Sequence, residues 1–432
     1  MFLILPLFCL LAAPPAFGAD VYTLEKAVTT ALERNFSVKA AEESRKAAGA
    51  GTSASRSAFG PVLGSGYAYD RRQHNRESTG RGVDRELYTW RVYLNQNIFA
   101  GFSTLADYQK AALREESAKA GVDRARLELI RLVQVHFFTY LKAHEDVRSA
   151  RDSLDRLRSQ MESSRAFYDV GVSPRIDVLQ AEVDVSTAES ALLIAENATE
   201  TQKARLHTLL LLPLDSPADY RGTLDYIPFS RSLEECLKLA YRKRPDLIIA
   251  EKAVQMAEKD IVKAQSGYYP QINAYGGWGS TGNSPDVSGS PNINNRFNEW
   301  TVGVNAELRL FEWGKTTFES RQARHESARV RAETENLKQE VGFQIKERIL
   351  SMSEAAKRVK VAQGAVTQGR EAYRMADARY RQQVGTMTEV LDSQARLSAA
   401  EASLAGARAD YSIALSNLYS DMGEENPSLR GH

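Results

Sequence analysis

Two short stretches constrain this chain more than anything else in it. Val170-Gly171-Val172-Ser173-Pro174 sits between two long helical patterns, and a near-copy, Val384-Gly385-Thr386, sits between two more. Matching text follows each: Asp177-Val178-Leu179-Gln180 after the first and Glu389-Val390-Leu391-Asp392 after the second. Further on, Ser186-Thr187-Ala188-Glu189-Ser190-Ala191-Leu192 is answered by Ser398-Ala399-Ala400-Glu401-Ala402-Ser403-Leu404. A glycine between long helices permits the left-handed backbone of a tight reversal. Ser173 then reads as a helix N-cap and Pro174 as the first helical residue. The stretches are therefore the tips of two helical hairpins in a tandem duplication, the second tip being two residues shorter between its Gly and its Val-Leu pair.

The duplication extends to the elements before each hairpin. Thr23-Leu24-Glu25 opens a helix expected to run to about Ser57, and its partner opens at Ser232-Leu233-Glu234-Glu235, a capping box. The two segments align without a gap from Thr23 and Ser232 to Pro61 and Pro270. Repeats of this kind have to be recognised before the fold is argued. From Thr104 to Val170 there is no Pro and Gly121 is the only Gly; about 67 helical residues at about 1.5 Å each give a rod of roughly 100 Å. Its partner is expected from about Lys315 to Val384. Shorter return helices are expected from Pro174 to about Leu212 and from Thr388 to about Met422. Rods of this length read as coiled coil with Ala-rich seams.

Between the short and long helices the pattern changes from period 3.6 to period two. Tyr88, Trp90, Val92, Leu94 and Ile98 fall on one side of a strand, with Thr89, Arg91, Asn95 and Asn97 on the other. A first strand precedes it from Val62 to Tyr69, and a charged loop from about Arg71 to Glu86 joins the two. In the second copy Ile272, Ala274 and Trp278 alternate with Gln271 and Asn273, a Gly/Ser/Asn/Pro loop runs from about Ser280 to Asn298, and Trp300, Val302, Val304, Ala306, Leu308 and Leu310 alternate with Thr301, Asn305, Glu307 and Arg309. These are four strands in two hairpins. One apolar face, one polar face, and Trp90, Trp278 and Trp300 as interface aromatics fit a barrel wall in a membrane. The alternative is a soluble sheet edge with its polar face in water. Four strands cannot close a membrane barrel, since about eight is the smallest size known, and open edges are not tolerated in lipid. If the strands span a membrane, several chains share one barrel.

The amino terminus reads as a secretory signal: Phe2 to Ala13 is apolar, and Ala16-Phe17-Gly18 supplies small residues at a cleavage site, with a cut after Ala19 as the alternative. Cleavage removes Cys9 and leaves Cys236 alone, a small buried apolar residue with no disulfide partner. No later run of about 18 apolar residues predicts a transmembrane helix. The expected division is a signal peptide at 1–18, a first repeat at 19–213, a linker at 214–231, a second repeat at 232–423 and a polar tail at 424–432. The formal net charge of +1 supplies no field for nucleic acid. The six His do not fall at metal-ligand spacing. No phosphate loop or GxSxG is present, and Gly276-Gly277-Trp278-Gly279 lies in a strand rather than before a helix. No enzyme, metal site or cofactor is expected.

The whole mature chain resembles the TolC family of outer-membrane efflux proteins. The resemblance rests on the duplicated plan and on particular words in order: Ala31-Leu32 through Asn35, with Arg244-Pro245-Asp246-Leu247 in the second copy; Asn97-Ile98-Phe99-Ala100-Gly101, with Leu310-Phe311; the two Val-Gly tips; and Glu389-Val390-Leu391-Asp392. It implies an α+β, mostly α fold in which tandem-duplicated helical hairpins form an α-barrel and four strands per chain join a trimeric 12-stranded transmembrane β-barrel. It implies a homotrimer in the outer membrane of a Gram-negative bacterium with a periplasmic tunnel: a passive exit duct of a tripartite efflux or type I secretion system. The partners implied are outer-membrane lipid, a periplasmic adaptor and an inner-membrane pump of RND, ABC or MFS type. By the same likeness Val170, Gly171, Val172 and Ser173, with Val384, Gly385 and Thr386, are adaptor-docking residues. Glu389 and Asp392 match acidic residues that line the entrance, two from each of three chains, a cation-favouring ring; the alternative is that they are surface acids of a helix start. Met387 stands where some relatives have a basic residue, so an arginine latch there is not implied. A soluble periplasmic coiled-coil scaffold or adaptor is the alternative function; the Trp-rich strands and the lack of a lipoyl-like β domain speak against it.

Overall fold

The computed structural model describes residues 20–75, 82–287 and 297–426. The expected signal peptide with Cys9, the end of the polar tail and the middles of both strand-connecting loops lie outside these residues. The elements in order are β1 (Val21–Tyr22), α1 (Leu24–Arg34), α2 (Phe36–Ser57), β2 (Val62–Asn75), β3 (Gly82–Ala100), α3 (Ser103–Asp169), α4 (Arg175–Leu210) and β4 (Asp219–Tyr220). The run then recurs as α5 (Leu233–Lys243), α6 (Pro245–Ala264), a 3₁₀ turn (Gln265–Tyr268), β5 (Gln271–Gly282), β6 (Phe297–Glu307), α7 (Lys315–Arg381) and α8 (Met387–Asp421). The fold is mostly α with a few strands, and α3 and α7 are each 67 residues long.

The helix expected from Thr23 to Ser57 is two helices. Asn35 is extended (φ −63°, ψ 133°), and its N–H still closes α1 on the Ala31 carbonyl. Its side-chain oxygen accepts from the backbone N–H and hydroxyl of Ser37, the local bond by which Asn competes with a helix interior. Its side-chain NH₂ donates to the Leu209 carbonyl at 2.9 Å. In the second copy the break falls at Arg244, whose helical conformation the ring of Pro245 disfavours. The capping box at Ser232 and Glu235 is formed in full.

The chain divides into two compact units, each drawn from both copies. The first comprises residues up to Lys39, Ala125–Arg244 and from Val341 onward; the second comprises Ala40–Arg124 and Pro245–Glu340. In the first unit, β1 and β4 pair in parallel, Tyr22 opposite Tyr220. β4 lies in the stretch read as linker, and these two strands come in addition to the four expected; two residues are too few to show a period. Tyr220 is buried and packs against Phe137 (6.2 Å), Tyr140 (5.4 Å) and Tyr22 (5.6 Å). Ala27, Ala31, Val133, Leu206 and Leu210 complete that core. Cys236 is buried, and burial pushes its thiol up. The polar tail begins as packed structure, not as a loose end: Glu424 is held by Arg231 (2.6 Å) and Lys243 (2.7 Å), and Asn426 is buried.

In the second unit the four long strands form one antiparallel sheet in the order β2-β3-β5-β6. β2 and β3 reach well into the expected charged loop, with Arg71 opposite Glu86 and Arg72 opposite Arg85. Charges in this stretch hide the alternation, but a ladder needs only backbone donors and acceptors. β5 likewise reaches Gly282 and β6 begins at Phe297, inside the Gly/Ser/Asn/Pro loop. Two expectations fail at the other end. Ile98 is not paired, because the register shifts between Asn97 and Phe99, a bulge that breaks the period. Leu308 and Leu310 lie beyond β6, which stops at Glu307. There the chain turns towards α7 through left-handed Trp313 and Gly314.

Candidate functional site

The two tips are built alike. In the first, Gly171 is left-handed (φ +77°), its N–H donates to the Tyr168 carbonyl (2.9 Å), and the Val172 N–H donates to the Phe167 carbonyl (2.8 Å). In the second, Gln383 is left-handed (φ +60°), its N–H donates to the Tyr380 carbonyl (2.9 Å), and the Val384 N–H donates to the Arg379 carbonyl (3.0 Å). Both are Schellman closures. Gly171 therefore corresponds to Gln383, Val172 to Val384, Ser173 to Gly385 and Pro174 to Thr386. The two Val-Gly pairs are not equivalent, and the second tip is not shorter: at this register Asp177 meets Glu389 and Val178 meets Val390 without a gap.

Three expectations are corrected here. Ser173 is not the N-cap; Pro174 is (φ −74°, ψ 154°), without a side-chain bond, and α4 begins at Arg175. In the second tip Thr386 caps α8 by accepting from the Glu389 N–H at 3.3 Å. Gly385 is not left-handed. A Cβ there would lie 3.1 Å from Arg379 Cβ and 3.2 Å from the Tyr380 nitrogen, so this glycine supplies room, not a φ angle.

Apolar side chains stand in the open at these turns. Val170 is 72% exposed, Val172 52% and Val384 64%, and Ile176, Leu179 and Val183 continue the exposed series along α4. Beneath the tips, Met387 is buried with Ala181, Tyr380 and Val390. Gln160 Nε2 lies 3.1 Å from its sulfur, and Tyr373, at the edge of this core, has its phenol pushed up by burial. Glu389 and Asp392 are both exposed on the first turns of α8, and Asp392 pairs with Arg396 at 2.8 Å.

The sheet is two-faced. Trp278 stands directly across from Trp300 and from Val92, and Tyr67 from Trp90. These residues share a face with Leu94, Val302 and Val304. Trp90 and Trp278 meet edge to face at 5.5 Å, and Trp300 is 75% exposed. The opposite face carries Thr89, Arg91, Asn95, Thr281, Glu299 and Thr301. β2 and β6 each have one neighbour, so the sheet ends on two open edges. Among the described residues no helix is long and apolar enough to cross a membrane, and no group of three or more His, Cys, Asp or Glu is placed to hold a metal ion.

A sheet with one apolar and one polar face, carried by duplicated helical hairpins, is the plan of a known group. A family model described as Outer membrane efflux protein matches residues 27–210 and 236–424. The chain belongs to this family. It is 23% identical over 394 residues to the outer membrane protein TolC of Vibrio cholerae, a match covering 88% of this chain and 85% of that one. It is 22% identical over 352 residues to the alkaline protease secretion protein AprF of Pseudomonas aeruginosa, covering 78% and 69%. Its fold is that of the outer membrane protein VceC of Vibrio cholerae, with a TM-score of 0.80 at 18% identity over 93% of this chain and 96% of that one. The Campylobacter jejuni CmeC outer membrane channel superimposes with a TM-score of 0.80 at 17% identity, over 93% and 85%. This TolC-family efflux protein is thus an outer-membrane protein.

Sequence reading missed Gln383, because a left-handed glutamine carries no local mark, and it passed over Tyr93 and Tyr275, which stand on the polar face.

Proposed function

We propose that three copies of this efflux protein form a passive exit duct. Their sheets would close into one twelve-stranded barrel across the outer membrane, and their hairpins would make a periplasmic tunnel. The observation that carries this reading is the sheet: its apolar face suits lipid, its polar face suits water, and its two open edges require a partner. Three sheets of this size exceed the smallest barrel known. The signal at 1–18 would be removed on export, leaving two repeats at 19–213 and 232–423.

The tips would dock a periplasmic adaptor, with an inner-membrane pump supplying energy in an efflux or type I secretion system. Val170, Val172 and Val384 offer the exposed apolar contact, and Gly171, Ser173, Gly385 and Thr386 shape the backbone that carries it. Glu389 and Asp392 would line the entrance.

The test is the mass of the protein extracted from isolated outer membranes in mild detergent, by light scattering with the detergent subtracted. A mass near three mature chains is expected; a water-soluble monomer or dimer that never reaches the membrane would overturn the duct. Docking is tested separately. Gly385→Leu should abolish export while trimers persist, and normal export would remove the docking role.

A further inference from the structure

Two tyrosines stand apart from the other aromatic residues of the sheet. Tyr93 on β3 and Tyr275 on β5 project from the polar face, among Thr89, Arg91, Asn95 and Glu299. Each is paired directly with a glycine on the neighbouring strand, Tyr93 with Gly64 and Tyr275 with Gly303. Each ring lies over its glycine. A Cβ at Gly64 would sit 2.6 Å from Tyr93 Oη and 2.7 Å from Cε2; one at Gly303 would sit 2.6 Å from Tyr275 Oη and 2.7 Å from Cζ. Carbon atoms do not approach so closely, so any other residue at either position would push the ring away from the sheet.

The cover sets these two glycines apart from Gly66, Gly277 and Gly279 on the same face. Gly64 and Gly303 are half-buried between exposed neighbours, Leu63 and Ser65 in one case and Val302 and Val304 in the other. Gly66, on the same face and opposite Arg91, has nothing within 4 Å of where its Cβ would be. Gly277 and Gly279 meet strand backbone and the stems of neighbouring side chains, not a ring. Two glycines thus act as slots, each closed by one tyrosine laid along the sheet.

We infer that the Gly64–Tyr93 and Gly303–Tyr275 pairs set the free bore of the membrane duct. The inference rests on the duct reading above, in which the polar face lines the lumen. With the rings seated, the wall between Arg91 and Asn95 is flat aromatic surface and bare backbone, and bulky solutes pass. With the rings unseated, each tyrosine stands into the water-filled space from every copy of the chain. These are positions that decide how wide the membrane-spanning part of the duct stands open.

The experiment is polymer exclusion in planar bilayers, with polyethylene glycols of graded size added on the side of the strand-connecting loops, so that the far entrance does not set the reading. Gly64→Ala and Gly303→Ala should each lower the size cut-off relative to the wild type. The double variant Gly64→Ala/Tyr93→Ala should restore it to the wild-type value or above. Tyr93→Ala and Tyr275→Ala, which remove a ring and add no bulk, should raise it, and they serve if the glycine variants do not assemble. A purely structural role predicts lower thermal stability with every cut-off unchanged, and that result would overturn the inference. A wild-type protein that forms no pores would instead sink the duct reading.

Discussion

Gln383 takes the left-handed backbone at the step of the second tip that Gly171 takes in the first, φ +60° against φ +77°. The backbone closure is the same, but the cost is not. A side chain in that conformation is disfavoured by roughly 1–2 kcal/mol, part of which glycine returns through the larger entropy it loses on folding. Gln383→Gly is therefore expected to stabilise the second hairpin by about 1 kcal/mol or less, and Gly171→Ala to destabilise the first by about 1 kcal/mol. Nothing lies within 4 Å of a Cβ at Gly171, so its effect is backbone alone. Thermal melting followed by circular dichroism should show shifts of opposite sign; a loss in both variants would contradict the correspondence of the two tips.

The proposed entrance acids are unequal. Asp392 is paired with Arg396 one helical turn on, and among the described residues Glu389 has no such partner. Glu389→Ala should therefore weaken block by multivalent cations in bilayers more than Asp392→Ala does. Arg396→Ala should strengthen block, because it frees the Asp392 carboxylate. Unchanged block in all three would remove the acidic ring.

Adjacent residues of β6 should respond in opposite ways to the same substitution. Val302 lies on the face shared with Trp300, and Thr301 on the face shared with Glu299. Val302→Arg would put a charge into lipid at about 2–4 kcal/mol near the bilayer midplane, whereas Thr301→Arg would meet water. Folding into lipid vesicles, read by resistance to heat and detergent, should fail or weaken for the first and persist for the second.

A further expectation concerns pH. Burial pushes the Glu424 carboxyl up, but its bonds to Arg231 and Lys243 outweigh this and hold it below the ordinary carboxylate value. A carboxyl with a lower pKa in the folded state than in the unfolded chain stabilises fully above the unfolded value, and the gain is lost as pH falls through the folded one. The difference in melting temperature between the wild type and Glu424→Gln should thus be largest at neutral pH and vanish in acid. A difference that does not change with pH would mean that the clamp acts by packing alone.

Much of this was legible locally. The capping box at Ser232 and Glu235, the hairpin tips and the long helices depend on residues within a few positions of one another, and the duplication allows each copy to check the other. The break at Asn35 was also local, in an Asn followed by a Ser that it bonds, but a continuous helical pattern on both sides covered it. The Val-Gly words mark both candidate tips, yet matching word to word sets the second tip out of register. In the second tip the left-handed residue is Gln383, two positions before the glycine, so the place of the glycine does not mark it.

What the sequence determined by itself is therefore the plan: two copies of short helices, two-faced strands and a long helical hairpin, for periodicity and caps act between near neighbours. Only the tertiary structure decided that Tyr220, in an apparent linker, is the hub of a core, that Glu424 is clamped, and that Tyr93 and Tyr275 lie on Gly64 and Gly303. Each of these is a contact between residues distant in the chain or on adjoining strands. Its energy depends on which surfaces folding brings together, and no pattern of neighbours encodes that.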